Sequence, residues 1–320
     1  MWKFKSLKLF LSRFIKLDLS RQLLTFALFL FTFLYPGQNR LQTIVLNPGK
    51  VYAYTLPQID SFIYPLSDGI KVPYVSAKSV IIQDDEGKSI LYSKNSDLLM
   101  MPASITKVMT ALVALDYYHD LSTVIEVKNE DRAIGQTIDL VKGERITIQN
   151  ILYGLLVHSG NDAALAVAEN YNGGYDAFVA AMNQKARDLH MDHTTFKNPS
   201  GVEQYGHMTT ARDIAVLASF ALKNPEIARI VEIRRIVVTD VTGLIIHDLE
   251  TTNELLGVVP GLKGLKTGWT SGAGECLVSY IDRDGKRIII VVLGSLSRFG
   301  DTRILVDWVY THHNWIAVDL

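Results

Sequence analysis

The chain has 320 residues, with 32 basic against 33 acidic side chains and a formal net charge of −1. That balance leaves no electrostatic footprint for nucleic acid, and the length suits one large domain or two ordinary ones. The only cysteine, Cys276, excludes an intrachain disulfide; within Gly-Glu-Cys-Leu-Val it reads as a small buried hydrophobe.

Charge is uneven only at the start, where Lys3, Lys5, Lys8, Arg13, Lys16 and Arg21 face a lone Asp18. Residues 23–35, LLTFALFLFTFLY, follow without a charge. A basic region ahead of a short apolar run reads as an export signal that leaves its basic residues in the cytoplasm. Thirteen helical residues would reach roughly 20 Å, short of a hydrocarbon core of about 30 Å. The alternative is an uncleaved signal anchor, favoured by the long basic region and the lack of Ala-x-Ala after Tyr35. Residues 1–35 are therefore expected to be a signal peptide or signal anchor directing the chain to the cytoplasmic membrane, with cleavage open. Residues 36–75 carry Pro36, Pro48, Pro57, Pro65 and Pro73, a density that predicts an extended tether with isolated strand-like pieces such as 43–46.

From Lys78 the pattern changes. Segments 80–83 and 89–93 flank Asp84-Asp85-Glu86-Gly87-Lys88, a hairpin signal. Residues 104–118 are apolar at nearly every spacing and predict a buried central helix. Thr147 caps a helix running to His158, and another begins after Asn161. In 175–189, Ala177, Phe178, Ala181, Met182 and Ala186 recur at helical spacing. Thr210-Ala211-Arg212-Asp213 has the form of a capping box before a helix over 214–222. Strands are then expected at 233–239, 266–269, 276–281 and 287–293, with a hairpin turn at Asp282-Arg283-Asp284-Gly285. A helix over 301–310 closes the chain. One early hairpin, central helices and late antiparallel strands predict an α+β catalytic domain with a split sheet over 76–315.

Three short motifs carry chemistry. Ser104-Ile105-Thr106-Lys107 puts a hydroxyl and an amine on one helical turn, close enough for the amine to take the hydroxyl proton. Ser104 would also sit at a helix N-terminus, where free N–H groups favour developing negative charge. Alone, such a pair is more often a cap serine and a solvated lysine. Ser159-Gly160-Asn161 and Lys266-Thr267-Gly268 downstream reverse that reading, although an inter-helix loop and a strand end would explain either one in isolation. Ser93-Lys94-Asn95 also fits Ser-x-Asn, but it precedes the nucleophile and lies in an expected strand.

In this order the motifs resemble the active-site serine penicillin-binding proteins and serine β-lactamases, most nearly the low-molecular-weight D-alanyl-D-alanine carboxypeptidases. Asn198-Pro199-Ser200-Gly201, His207-Met208-Thr209-Thr210-Ala211-Arg212-Asp213 and Ala273-Gly274-Glu275-Cys276-Leu277 extend the likeness, which runs from about Lys78 to about Trp308. It implies a five-stranded antiparallel sheet flanked by helices, with a helical lobe across the groove. The C-terminal β-rich domain of many relatives is not expected here.

The resemblance also implies roles. Ser104 is the nucleophile and Lys107 its neutral base, Ser159 relays a proton, and Asn161 holds the substrate amide. Lys266 and Thr267 receive the substrate carboxylate, with Gly268 beside them. Backbone N–H groups of Ser104 and Trp269 form the oxyanion hole. Arg298 matches an arginine that helps anchor the carboxylate, although a surface arginine before the last helix explains it equally well. Expected substrates are peptidoglycan stem peptides ending in D-Ala-D-Ala, with β-lactams as covalent inhibitors. No cofactor or metal is implied: His190 and His193 lack a third ligand at metal spacing.

Rival readings remain open at this point. A DD-endopeptidase would use the same machinery on cross-bridges. A β-lactamase of class A needs a glutamate-activated water, and no Glu-x-x-Leu-Asn segment follows Ser159-Gly160-Asn161; the region reads Phe196-Lys197-Asn198-Pro199. A non-catalytic wall-binding module would have no use for an activated hydroxyl.

Overall fold

The computed structural model describes residues 18–34, 62–128 and 134–318. The chain divides into two units, residues 1–59 and 60–320. In the first, the described part is helix α1, Leu19–Leu34, sixteen residues that are apolar along most of their length. No helix among the described residues is long and apolar enough to cross a membrane. The basic stretch 1–17 and residues 35–61 of the expected signal and tether lie outside the described residues.

The second unit is built on one antiparallel sheet of five strands, in the order β3-β2-β10-β9-β8. These strands are β2 Ser79–Asp84, β3 Ile90–Lys94, β8 Leu262–Thr270, β9 Gly274–Arg283 and β10 Lys286–Ser295. In β10, Ile289, Val291 and Leu293 enter one core while Ile288, Ile290 and Val292 enter the other. A strand apolar on both faces must be covered on both. Helix α2, Thr106–Tyr117, and helix α6, Ala211–Ala221, supply Val108, Met109, Ile214 and Leu217 to the larger core. Helix α8, Arg298–His312, brings Leu305, Val306 and Val309 to the smaller one.

Beside the sheet lies the helical lobe: α3 Ile148–Tyr153, a π-turn Gly154–His158, α4 Asn161–Asn170 and α5 Gly174–Asp188. Thr147 caps α3 by accepting from the Asn150 N–H, and Thr210 caps α6 by accepting from the Asp213 N–H, as their sequence positions predict. Two ribbons edge the lobe, β4 Val124–Glu126 with β5 Arg145–Thr147, and β6 Arg235–Thr239 with β7 Ile246–Glu250. A short helix α7, Pro225–Val231, opens on an Asn224 cap.

The structure differs from expectation at both margins of the catalytic unit. The tether expected over 36–75 does not run free to its end, because strand β1, Phe62–Ser67, pairs antiparallel with β11, His313–Val318. Pro65 fits there because a two-stranded ribbon leaves alternate N–H groups unpaired. Val75 is buried in the smaller core, and Trp308 Nε1 donates to Ile70 O at 3.1 Å. The helix expected to close the chain is likewise followed by β11 rather than by a tail. Neither strand carries a strong local signal, since each is defined by its partner some 250 residues away.

Candidate active site

Ser104 sits in a 3-10 turn, Ala103–Ile105, that leads directly into α2. Residues Thr106 to Ala114 of α2 are all buried, so the helix runs through the core and its first turn opens at the groove. Lys107, fully buried one turn on, has Nζ 2.9 Å from Ser104 Oγ, 2.5 Å from Asn161 Oδ1 and 2.8 Å from Ser200 O. Burial first, and the Lys266 charge second, hold the Lys107 amine well below its ordinary value, against a smaller opposing pull from Asp162.

The π-turn ends on Ser159 in the left-handed region, φ +70°, and α4 begins two residues later at Asn161. Ser159 lines the groove without a hydrogen bond from its hydroxyl to any described residue. Asn161 is held from both sides: its N–H donates to Gln136 O at 2.7 Å and its Nδ2 to Ile134 O, which turns Oδ1 toward Lys107. The segment bearing Ile134 and Gln136 is itself clamped. Asp162 accepts from the N–H groups of Ile138 and Leu140 at 3.0 Å, and buried His247 bridges Ile138 O and Glu144 at 2.7 Å each. Hydrogen bonding to Glu144 raises His247 above its usual value, consistent with an imidazolium donating from both nitrogens.

Strand β8 is the sheet edge facing the 3-10 turn, and it carries the third motif. Lys266 is buried and lowered to about 7, by burial and then by Arg298. Thr267 Oγ1 lies 2.5 Å from Thr252 Oγ1, a groove-lining hydroxyl that no motif in the sequence points to. At Gly268 an added Cβ would stand 3.1 Å from Ser104 N, so the glycine lets the strand approach the Ser104 backbone. Trp269 is 61% exposed on the rim. Arg298, the first residue of α8, donates from Nη1 to Gly268 O at 3.0 Å, while its buried Nε has no hydrogen-bond partner among the described residues. It is part of the groove wall, not a bystander on the surface.

All nine residues singled out by sequence thus converge on one groove of about 550 Å³; Lys107 and Lys266 sit beneath its floor and the other seven line it. Ser93 lies on β3 at the far edge of the sheet, away from the groove. Cys276 is buried and its thiol is pushed up to about 11, chiefly by burial. Among the described residues no cluster of three metal-ligating side chains occurs.

The segment 197–207, which the sequence offered only as part of the family likeness, forms the wall under Ser104. Thr106 Oγ1 bonds His207 Nε2 at 3.0 Å, and Thr110 Oγ1 donates to Pro199 O at 2.6 Å. His207 is held down near 4, mainly by burial, so it stays neutral at physiological pH. Gly201 is pressed against the turn: at φ +87° its added Cβ would lie 1.9 Å from Ala103 O. Gly201→Ala is therefore expected to destabilise the fold by about 2–5 kcal/mol, combining backbone strain with overpacking. Thermal unfolding measures this; an unchanged melting temperature would mean that the contact between turn and wall is not maintained in solution.

Residues 68–297 match the family described as D-alanyl-D-alanine carboxypeptidase, peptidase S11. The chain belongs to this family. It is 34% identical over 230 residues to the D-alanyl-D-alanine carboxypeptidase DacF of Bacillus subtilis, covering 70% of this chain and 59% of that one. It is 32% identical over 251 residues to the D-alanyl-D-alanine endopeptidase of Escherichia coli, covering 75% and 79% of the two chains. Among solved structures it superimposes on the Streptomyces K15 DD-transpeptidase with a TM-score of 0.72 at 28% identity, over 76% of this chain and all of that one. This S11 peptidase therefore has the penicillin-binding fold, with its five-stranded antiparallel sheet, its flanking helices and its helical lobe.

Proposed function

We propose that this chain is a serine DD-carboxypeptidase that removes the terminal D-Ala from peptidoglycan stem peptides through an acyl-enzyme on Ser104. The observation that carries this is the environment of Lys107. Two of the three atoms around its Nζ are carbonyl oxygens, Asn161 Oδ1 and Ser200 O, which can only accept. A neutral amine has two N–H groups for them and one lone pair left, which points at the Ser104 hydroxyl. These three contacts suit an ammonium as well as an amine, and it is burial, followed by the Lys266 charge, that favours the neutral form, that of a base.

The steps follow from that arrangement. Ser104 Oγ attacks the carbonyl of the penultimate D-Ala as its proton passes to Lys107, and the oxyanion forms between the N–H groups of Ser104 and Trp269. The C–N bond breaks, the leaving amine takes a proton relayed through Ser159, and D-alanine departs. Water then attacks the ester carbonyl, gives its proton to the Lys107 and Ser159 pair, and restores the Ser104 hydroxyl. A β-lactam enters the same acylation step, but its amine remains tethered in the opened ring and the ester persists. Lys266, Thr267 and Arg298 receive the terminal carboxylate, and the hydroxyl pair of Thr252 and Thr267 leaves the Thr267 proton free for the carboxylate when Thr252 is the donor. The basic region and α1 support delivery across the cytoplasmic membrane, with the catalytic unit in the cell envelope.

An endopeptidase activity on cross-bridges is the second reading, favoured by the likeness to the Escherichia coli endopeptidase. Digestion of purified monomeric and cross-linked muropeptides separates the two. Release of free D-alanine from monomeric pentapeptide supports the carboxypeptidase. Conversion of cross-linked dimers to monomers, with pentapeptide left intact, would replace it by the endopeptidase.

The recognition role of Thr267 has its own test. Charge-assisted hydrogen bonds contribute roughly 1.5–3 kcal/mol each, so Thr267→Val is expected to lower kcat/KM for a carboxylate-bearing peptide about ten- to hundred-fold. A neutral ester or amide analogue should lose much less. Equal losses on both substrates would assign Thr267 to the reaction or the fold instead of to the carboxylate.

A further inference from the structure

We propose that Glu203 selects stem peptides whose third residue carries a free ammonium group on its side chain, a specificity that rests on the carboxypeptidase reading above. The observation is a separation of charge along the groove. Lys266 and Arg298, whose charges interact, lie at the end where the substrate carboxylate belongs. At the other end, Glu203 is the single acidic side chain lining the groove among the described residues. It also borders an adjoining cavity of about 220 Å³, lined in part by Leu165, Tyr175 and Asn198, and no other described acidic side chain lines that space.

The position of Glu203 is set by β8. Its Oε1 accepts from the Gly272 N–H at 2.6 Å, in the turn just beyond the strand. That bond, with a second from the Thr270 hydroxyl, keeps the carboxyl below the usual range, so it is ionised at neutral pH. The side chain itself is exposed and open to a ligand.

Substrate register along the free edge of β8 places the third residue beside this carboxylate. With the terminal carboxylate at Thr267, the scissile carbonyl falls by Gly268, which lies against the Ser104 backbone. From Thr267 to Thr270 the strand advances about 10 Å, the length of the two D-alanines and the residue before them. The side chain of that residue then projects at the level of Thr270, where Glu203 is anchored. An aliphatic stem ending in an amine has apolar surface to cover in the adjoining cavity and an anion to meet at its rim.

The test compares Nα-acetyl-L-Lys-D-Ala-D-Ala with the same peptide acetylated on both amines. An exposed ion pair is worth up to about 1 kcal/mol, so the wild-type enzyme is expected to favour the free amine about five-fold in kcat/KM at low ionic strength. Added salt should shrink that ratio. Glu203→Gln keeps an oxygen for the Gly272 N–H and removes only the charge; it should bring the ratio to about one, and Glu203→Lys should take it below one. A wild-type ratio of one, or an unchanged ratio in Glu203→Gln, overturns the proposal. The same ratio can be read without turnover, from how well each peptide protects Ser104 against a fluorescent penicillin. If neither peptide is cleaved, the carboxypeptidase reading fails, while the protection ratio still decides the role of Glu203.

Discussion

Ser104→Ala is expected to abolish covalent labelling by a fluorescent penicillin and to lower peptide turnover by on the order of 10⁴-fold or more. Losing the nucleophile removes the acyl-enzyme itself, and no other hydroxyl occupies its place: Ser159 lies across the groove, on the turn before α4. The substitution should leave the fold intact. Ser104 is only half-buried, and its side chain makes one hydrogen bond, to Lys107. Gel fluorescence together with a melting curve checks both halves. A folded Ser104→Ala protein that still labels at the wild-type rate would place the reacting atom elsewhere.

Lys107→Arg is expected to be nearly as damaging, slowing acylation by about 10²–10⁴-fold, the usual range for loss of a positioned general base. A guanidinium stays protonated at any accessible pH and cannot take the Ser104 proton, although it keeps the charge. Because an obligatory cation in a fully buried site also strains the fold, Lys107→Met is the paired control. It is neutral and of similar length, and should be equally inactive. Acylation by either variant within a few-fold of wild type would identify a different base.

The pH dependence carries the same logic. In the proposed mechanism Lys107 works as the neutral form, which gains population as pH rises through its depressed pKa, so acylation should climb on that limb. In the same mechanism Lys266 works as the cation, which is present below about 7 and lost as pH rises through it. For kcat/KM on a carboxylate-bearing peptide, the free enzyme should therefore show a descending limb near 7, weaker with a neutral ester. The ascending limb should be missing in Lys107→Arg.

Glu144 and His247 show how much of the site depends on remote residues. Neither touches the groove, yet their buried pair holds Ile138, and through that segment Ile134 O fixes which face of the Asn161 amide meets Lys107. Nothing local marks His247 for this work. The glutamate it bonds lies 103 positions earlier, a distance over which periodicity and capping patterns have no reach.

What the sequence by itself determined is considerable. β-Branched runs between turn signals and helical periodicity located the strands and most helices, the resemblance to the family implied that five strands form the sheet, and the caps at Thr147 and Thr210 stand where side-chain chemistry put them. Three motifs pointed to the contact of Ser104 with Lys107 and to the strand beside them, because spacing within one turn or one strand is a local property. Only the tertiary structure decided the rest. It bound β1 to β11 across the whole catalytic unit, made Arg298 a part of the groove, and set Thr252 against Thr267. It also buried Lys107 fully and set the Lys266 charge near it, and that desolvation and repulsion, not the spacing of Ser104 and Lys107, are what lower the pKa of the amine. Desolvation and long-range pairing are set by what surrounds a group in three dimensions, and residues distant in the chain supply those surroundings.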